Sequence, residues 1–328
     1  MTQKNQCFSE KISVAPMLDW TDRHFRYFMR LITHHAVLYT EMVACPALIL
    51  GRNKELLLDY NPEEHPVILQ VGGSEPKLMA ECAKMAEKWG YEGININAGC
   101  PSPRVQSGKF GAILMKTPEV IADCVAEMVA ATKLPVSVKT RISLSDVGGD
   151  GYAELFHLAD LIKKAGCAHL IVHARQAKLN WRPKENRLRL PLNYDLVYKL
   201  KKSFPDMPIS INGNVLSLAE VQAHLRHVDG VMIGRWAYGH PYELKDVDQM
   251  FYGDHHPILT REEILEKMLP YMQKNYKRIT RIIPHMMGLY RGQPNTSLYK
   301  KALLSRDLDN VKAFLRDACT SDFGTSPQ

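Results

Sequence analysis

A chain of 328 residues, 45% apolar and 23% charged, can bury one large core and a smaller satellite, and no apolar run approaches the ~20 residues a bilayer span needs. The polar start Met1-Thr2-Gln3-Lys4-Asn5-Gln6 reads as no secretory signal, and seven scattered cysteines without a Cys-x-x-Cys pair argue against a disulfide framework or structural zinc, so a cytoplasmic, metal-free protein is expected. Forty-two basic against 35 acidic residues give +7, and the segment Arg261 to Arg306 alone, with ten basic and three acidic residues, supplies the same excess; a polyanionic partner is the sharp reading and a solvated helical face the plain one.

Short apolar, β-branched runs recur eight times: Ile12–Ala15, Val37–Thr40, Val67–Val71, Gly93–Asn97, Val136–Lys139, His169–His173, Ile209–Asn212 and Gly230–Gly234. Helical patterns lie between most of them. After the third run Leu78, Cys82, Met85 and Trp89 repeat at helical spacing behind Pro76. After the fourth, Thr117 is placed to cap and Pro118 to start a helix with the stripe Ile121, Val125, Val129; after the fifth come Leu155, Leu158, Ala159 and Ile162. Eight strand–helix alternations predict an α/β chain folded as a (β/α)8 TIM barrel, and the absence of a Gly-x-Gly-x-x-Gly fingerprint disfavours an open doubly wound sheet. After Tyr252-Gly253-Asp254-His255-His256 the strand signals stop. Helical patterns follow at Ile264 to Tyr271, Ile282 to Leu289, Leu298 to Leu304 and Val311 to Leu315, which predicts a barrel domain over 1–256 and a small all-α helical domain over 257–328 with a frayed tail from Ser321. The pairs His34-His35 and His255-His256 read as solvated loop histidines rather than metal ligands.

Alternate residues of a barrel strand face the helices and the interior. Placing the aliphatic residues outward leaves Gln70, Asn97, Lys139, His173 and Asn212 inside, each nearest the carboxyl end of its strand. Barrel interiors are normally filled with branched apolar groups, and an unpartnered buried amide or amine is costly, so five polar groups at one rim read as a site for a flat, hydrogen-bonding ring. Ser210-Ile211-Asn212-Gly213-Asn214 and Gly234-Arg235 follow the seventh and eighth strands, where barrels bind phosphate through backbone amides. Flavin mononucleotide (FMN) fits both ends: Gln70 can pair with the pyrimidine edge, and Lys139 can stabilise the charge that reduction places near N1. The Gly- and Pro-rich loop after the fourth strand delivers a lone thiol, Cys100, either a small buried hydrophobe or a reactive group at the mouth. The loop Arg175 to Arg189 holds six basic residues, one acidic residue and Trp181, a composition suited to phosphate contact with base stacking, although Trp181 can equally pack on its own loop.

Several motifs in order carry a family resemblance: Val14-Ala15-Pro16-Met17-Leu18-Asp19-Trp20-Thr21-Asp22, Tyr39-Thr40-Glu41-Met42, Asn95-Ile96-Asn97-Ala98-Gly99-Cys100-Pro101-Ser102, Val138-Lys139-Thr140-Arg141, Val172-His173-Ala174-Arg175 and Ser210-Ile211-Asn212-Gly213. Together they strongly resemble the tRNA-dihydrouridine synthases, and Pro183-Lys184-Glu185-Asn186-Arg187 is similar to the bacterial A subfamily. The resemblance spans nearly the whole chain. It implies a flavin barrel with a helical tRNA-binding domain, a monomer reducing the C5=C6 bond of uridines 20 and 20a in the D loop of tRNA. NADPH would be the electron donor, with hydride passing from flavin N5 to C6 and a proton from Cys100 to C5. It also implies that Pro16, Met17, Gln70, Lys139, His173, Asn212, Gly213, Asn214, Gly234 and Arg235 hold the cofactor, that Asn97 and Arg141 contact the uracil, and that Lys184 and Arg187 touch tRNA. In the last domain, where a basic pair spaced by three is expected, the chain has Ser297 and Lys300, leaving Lys300 and Lys301 as the tRNA contacts there. Three other readings remain open on the residues: a flavin barrel dehydrogenase of a free pyrimidine, a Schiff-base lyase using Lys139, and an RNA-binding module without chemistry.

Overall fold

The computed structural model describes residues 10–146 and 148–320; the start of the chain, Cys7 and the tail from Ser321 lie outside the described residues. Nine parallel strands form its sheet: β1 (Ile12–Val14), β2 (Val37–Tyr39), β3 (Val43–Ala44), β4 (Val67–Gly72), β5 (Gly93–Ala98), β6 (Val136–Arg141), β7 (His169–His173), β8 (Ile209–Asn212) and β9 (Gly230–Ile233). β1 pairs with both β2 and β9, β2 pairs with β4, and β4 to β9 follow in order, so eight strands close into a (β/α)8 barrel. All eight expected runs are strands of that barrel. The ninth, β3, pairs Val43 with Val71 and Ala44 with Gly72; two residues are too few to show a periodicity.

The expected parity holds. Leu69, Ile94, Ile96, Val138, Leu170, Val172 and Ile211 join the large core beneath the helices, whereas Ala15, Val37, Tyr39, Ile68, Ile171 and Met232 form a separate apolar plug inside the barrel. Below this plug, Glu10 accepts from Tyr39 Oη (2.6 Å) and contacts His169 Nδ1 (2.8 Å), and His169 Nε2 meets Ser210 Oγ at 2.8 Å. The barrel is therefore layered, with polar groups at the floor, apolar groups in the middle and polar groups again at the mouth.

Three helices of the outer shell refine the expected patterns. Tyr152–Lys164 buries Leu155, Leu158, Ala159 and Ile162 as expected. Pro76–Trp89 is centred instead on Met79, Cys82, Ala83 and Ala86, with Leu78, Met85 and Trp89 half-buried at the flank, because small alanines let it lie close against Pro118–Ala131. Pro118 does open its helix, but the Thr117 side chain makes no capping hydrogen bond. The paired histidines are a further departure, since His34 is not merely solvated. Its ring stacks on His256 at 4.0 Å, and Asp248 accepts from Thr33 Oγ1 and from the His34 and His35 N–H groups. Ligand atoms of His34, Asp248 and His256 lie within 4.8 Å of one another, and the Asp248 carboxylate is already engaged by the Thr33, His34 and His35 donors.

Beyond the barrel come the helices Arg261–Lys274, Ile279–Met286, Thr296–Leu304 and Leu308–Thr320, gathered around Tyr290, Tyr299 and Phe314. This wing is seamed to the first barrel helix, Arg23–Arg30. Tyr27 stacks on Tyr271 (3.9 Å), His24 Nδ1 meets Tyr271 Oη at 2.7 Å, and Asp22 Oδ1 lies 3.1 Å from His285 Nε2. Asp22 also caps Arg23–Arg30 by accepting from the His24 and Phe25 N–H groups. Burial works to raise the Asp22 pKa, but the His285 bond and charge and the Phe25 N–H outweigh it and hold the carboxyl at about 2. Because that pKa is depressed, the stabilisation is complete above the unfolded value near 4 and lost as pH falls through about 2. Asp22→Ala should therefore destabilise the folded protein by about 1–2 kcal/mol at neutral pH. Chemical denaturation should show that gap from wild type closing between pH 4 and pH 2; a pH-independent gap would remove the carboxylate from this role.

Candidate active site at the barrel mouth

Four inward amide and hydroxyl groups are wired across β4, β5 and β6. Gln70 Nε2 donates to Asn95 Oδ1 (2.7 Å), Asn95 Nδ2 to Ser137 Oγ (2.9 Å), and Asn97 Nδ2 to Gln70 Oε1 (2.9 Å). These amides satisfy one another, so polarity alone does not demand a ligand. The row does fix the orientation of Gln70, leaving one N–H and one lone pair unused.

Asn97 also shapes the next turn. Its Oδ1 accepts from the Gly99 N–H (3.2 Å) and the Cys100 N–H (3.0 Å), while Arg141 Nε donates to Gly99 O at 2.9 Å. A side chain at Gly99 would press on the Thr140 backbone at 3.2 Å, so glycine eases the close passage of the chain after β5 beside β6. The result is a half-buried Cys100 thiol at the mouth.

Unlike the amides, the cations are not matched by acids. Lys139 Nζ donates to Asn212 Oδ1 (3.0 Å), Asn212 Nδ2 donates to Met232 O (2.8 Å), and in register Arg141 lies beside His173. Burial, and then the charge of Arg141, pull the Lys139 ammonium down to about 7. Burial with Arg141 and Lys139 holds His173 neutral, well below the usual imidazole range. Arg187 is lowered by burial and by Arg235, and its Nε is buried with no hydrogen-bond partner. None of Lys139, Arg141, His173 and Arg187 forms an ion pair among the described residues. Such a cluster is incomplete without an anion.

The phosphate-end residues sit beside it. Gly213 (φ 128°) and Asn214 (φ 54°) both have left-handed backbone, and a Cβ on Gly213 would meet the His173 ring at 2.8 Å; at Gly234 the nearest atoms are 3.9 Å away, leaving the backbone approachable. Pro16, Met17, Gln70, Lys139, His173, Asn212, Gly213, Asn214, Gly234 and Arg235 all line one cleft of about 1770 Å³, together with Asn97, Cys100, Arg141 and Arg187. Lys184, Lys300 and Lys301 do not line it. Lys184 is exposed on the helix Pro183–Arg189, and the two lysines sit on the wing helix Thr296–Leu304, Lys300 half-buried and Lys301 exposed. From the wing, Lys277, Arg278, Arg281 and Arg291 line the cleft instead. Only their membership of the basic segment was visible in advance, because helix packing selects which of its cations face the mouth. Trp181 is not in the cleft: its ring carries Lys178 Nζ at 4.4 Å and Arg189 at 5.5 Å, so it packs on its own loop.

A closed parallel barrel with a thiol, an ordered amide row and unmatched cations at its carboxyl-end mouth defines a (β/α)8-barrel enzyme. The model of the family described as dihydrouridine synthase matches residues 13–321. The tRNA-dihydrouridine(20/20a) synthase of Shewanella oneidensis is 48% identical over 295 residues, 89% of this chain and 87% of that protein. The one of Escherichia coli is 46% identical over 301 residues, 90% and 86% respectively. The chain belongs to the dihydrouridine synthase family, a family of oxidoreductases. In fold alone it is similar to the old yellow enzyme homologue of Zymomonas mobilis (TM-score 0.53, 13% identical, 76% of this chain and 90% of that one) and to a 2-naphthoyl-CoA reductase (TM-score 0.55, 12% identical, 77% and 51%).

Proposed function

We propose that this protein reduces the C5=C6 bond of uridines 20 and 20a in the D loop of tRNA, with FMN held across the mouth and NADPH as reductant. The observation that carries the reading is the cation group at the mouth, Lys139, the buried Arg141 and the half-buried Arg187 with its Nε shut off from solvent, none with an acidic partner among the described residues. Its donors suit a cofactor that is a phosphate at one end and gains negative charge on a ring at the other. What bound FMN would supply is hydride for C6 of the uracil.

The residues divide the remaining work. Gln70, locked by Asn95 and Asn97, would hold the pyrimidine edge of the ring, and Lys139 would sit over its N1 side. Pro16 and Met17 would close one flank; Gly213, Asn214, Gly234 and Arg235 would take the phosphate, with His173 and Asn212 ordering that end. Asn97, with one amide hydrogen still unused, and Arg141 would orient the uracil. Cys100 would give its proton to C5 from the face opposite the flavin and recover it from solvent. A uridine inside folded tRNA must be swung out of its loop to reach this depth. Phosphate contacts would fall to Arg187 and to the wing, where Lys277, Arg278, Arg281 and Arg291 face the cleft, with Lys184, Lys300 and Lys301 further out on the tRNA path.

This reading makes residues 1–256 a catalytic barrel domain and 257–328 a tRNA-binding domain of a monomeric cytoplasmic enzyme; no described helix is long and apolar enough to cross a membrane. The test is mass mapping of dihydrouridine in tRNA from cells lacking the protein, together with the visible spectrum of the purified protein. Loss of both D-loop modifications and a yellow protein are expected. Intact modification would overturn the reading, and a colourless protein trapped by borohydride with a carbonyl substrate would replace it with the Lys139 lyase. Activity on free uracil in preference to tRNA would replace it with the free-pyrimidine dehydrogenase.

A further inference from the structure

The rim of the cleft carries an aromatic group that none of the roles above uses. Between β1 and the helix Arg23–Arg30, the chain makes a tight loop in which Met17 O accepts from the Trp20 N–H (3.0 Å) and the Thr21 N–H (2.9 Å), and the Met17 N–H donates to Thr21 Oγ1 (2.9 Å). Asp19 at its tip has left-handed backbone (φ 64°), and its N–H is held by Glu41 Oε1. The loop is thus set in shape before any substrate arrives. It presents Trp20, 36% exposed, and Leu18, 65% exposed, to the cleft. One face of the indole lies on the Tyr238 ring, with centroids 4.3 Å apart and planes 18° off parallel; the Tyr238 hydroxyl is in turn held 3.2 Å from His285 Nδ1. Trp20 makes no second ring contact among the described residues.

An exposed leucine and tryptophan on a rigid loop form an apolar spot on the lining of a cleft that also carries the wing's cations. Arg278 and Arg281 line the same cleft, and neither forms an ion pair with an acid among the described residues. Cations for a backbone and a ring for a base are the two halves of a single-stranded nucleic-acid site. We propose that the outer face of Trp20, backed by Tyr238 and edged by Leu18, is a stacking platform for the nucleobase flanking the reduced uridine. This rests on the tRNA reading above and adds to it a positioning residue. Swinging the target uridine out strips its neighbour of a stacking partner, and Trp20 supplies a replacement, lowering the cost of extrusion.

The test uses the full-length flavin-loaded protein and an unmodified tRNA transcript. Trp20→Ala should keep its flavin and bind the transcript roughly ten- to a hundredfold more weakly. Trp20→Phe should recover affinity to within a few-fold. The slope of log K against log salt should stay as in wild type for both, since no phosphate contact is lost, whereas Arg281→Ala should make it shallower by about one. Tryptophan emission of the wild type should be quenched by the transcript, and Trp20→Phe should lack that component; this reading stands even where Trp20→Ala fails to load flavin. Equal transcript affinity in Trp20→Ala, a shallower salt slope in it, no recovery by phenylalanine, or identical quenching in Trp20→Phe each overturns the platform. A wild type that neither binds nor modifies the transcript sinks the tRNA reading itself.

Discussion

Cys100→Ala is expected to cut dihydrouridine formation by roughly a hundredfold to ten-thousandfold while flavin content and its reduction by NADPH stay at wild-type levels. The turn presenting the thiol is built from backbone: Asn97 Oδ1 receives the Gly99 and Cys100 N–H groups, and Cys100 O accepts from the Ala112 N–H at 2.9 Å. None of these bonds involves the sulfur, so alanine leaves the loop in place and removes only the acid. Single-turnover mixing of reduced enzyme with unmodified tRNA isolates the step. Cys100→Ser should fall in between at best, because an alcohol is a far weaker acid than a thiol. Wild-type product formation in the alanine variant would take the proton donor away from Cys100 altogether.

Lys139→Met should be nearly as damaging, by about a hundred- to a thousandfold in the flavin-dependent step, because it deletes the cation expected where charge develops. The same lysine sets a pH dependence. Its folded pKa near 7 lies below the ordinary lysine value, so without an anion the folded protein is destabilised by this group at acid and neutral pH, and stability rises as pH climbs from about 7 toward about 10. Binding an anionic cofactor favours the charged form, so affinity of the flavin-free protein for FMN should fall above pH 7 by up to about tenfold per unit. Fluorescence titration of FMN at pH 7, 8 and 9 measures this trend, and Lys139→Met should flatten it. The same slope in the methionine variant would assign the proton to another group.

The barrel was legible because aliphatic alternation is a strong signal: outward Val136 and Val138 force Ser137 and Lys139 inward, where they bond to Asn95 and Asn212. The mouth was legible for the same reason, since every residue read as cofactor-binding falls on one cleft. Less legible was what those groups do to each other. Gln70, Asn95 and Asn97 are paired through bonds that cross strands, and strand register cannot be read from one chain alone. The helical wing was harder still. The family resemblance pointed to Lys300 and Lys301, whereas the cleft is lined by Arg278, Arg281 and Arg291, and which cations of a basic segment face a cleft is decided by helix packing. Trp181 stood out by its basic neighbours and Trp20 did not, yet tertiary packing sends the first to its own loop and the second to the rim.

The seam of Tyr27, Tyr271, His24, Asp22 and His285 has a consequence for choice of nucleotide. With stacked rings and the close Asp22–His285 contact clamping wing to barrel, the span between the wing's arginines and the Cys100 sulfur becomes a fixed gauge. Under the tRNA reading proposed above, a folded RNA gripped by its backbone at one end would offer the thiol whichever residue lies at that reach. On that reading such a caliper would measure contour rather than spelling, and moving a rivet would change the address that is modified before it changed the chemistry.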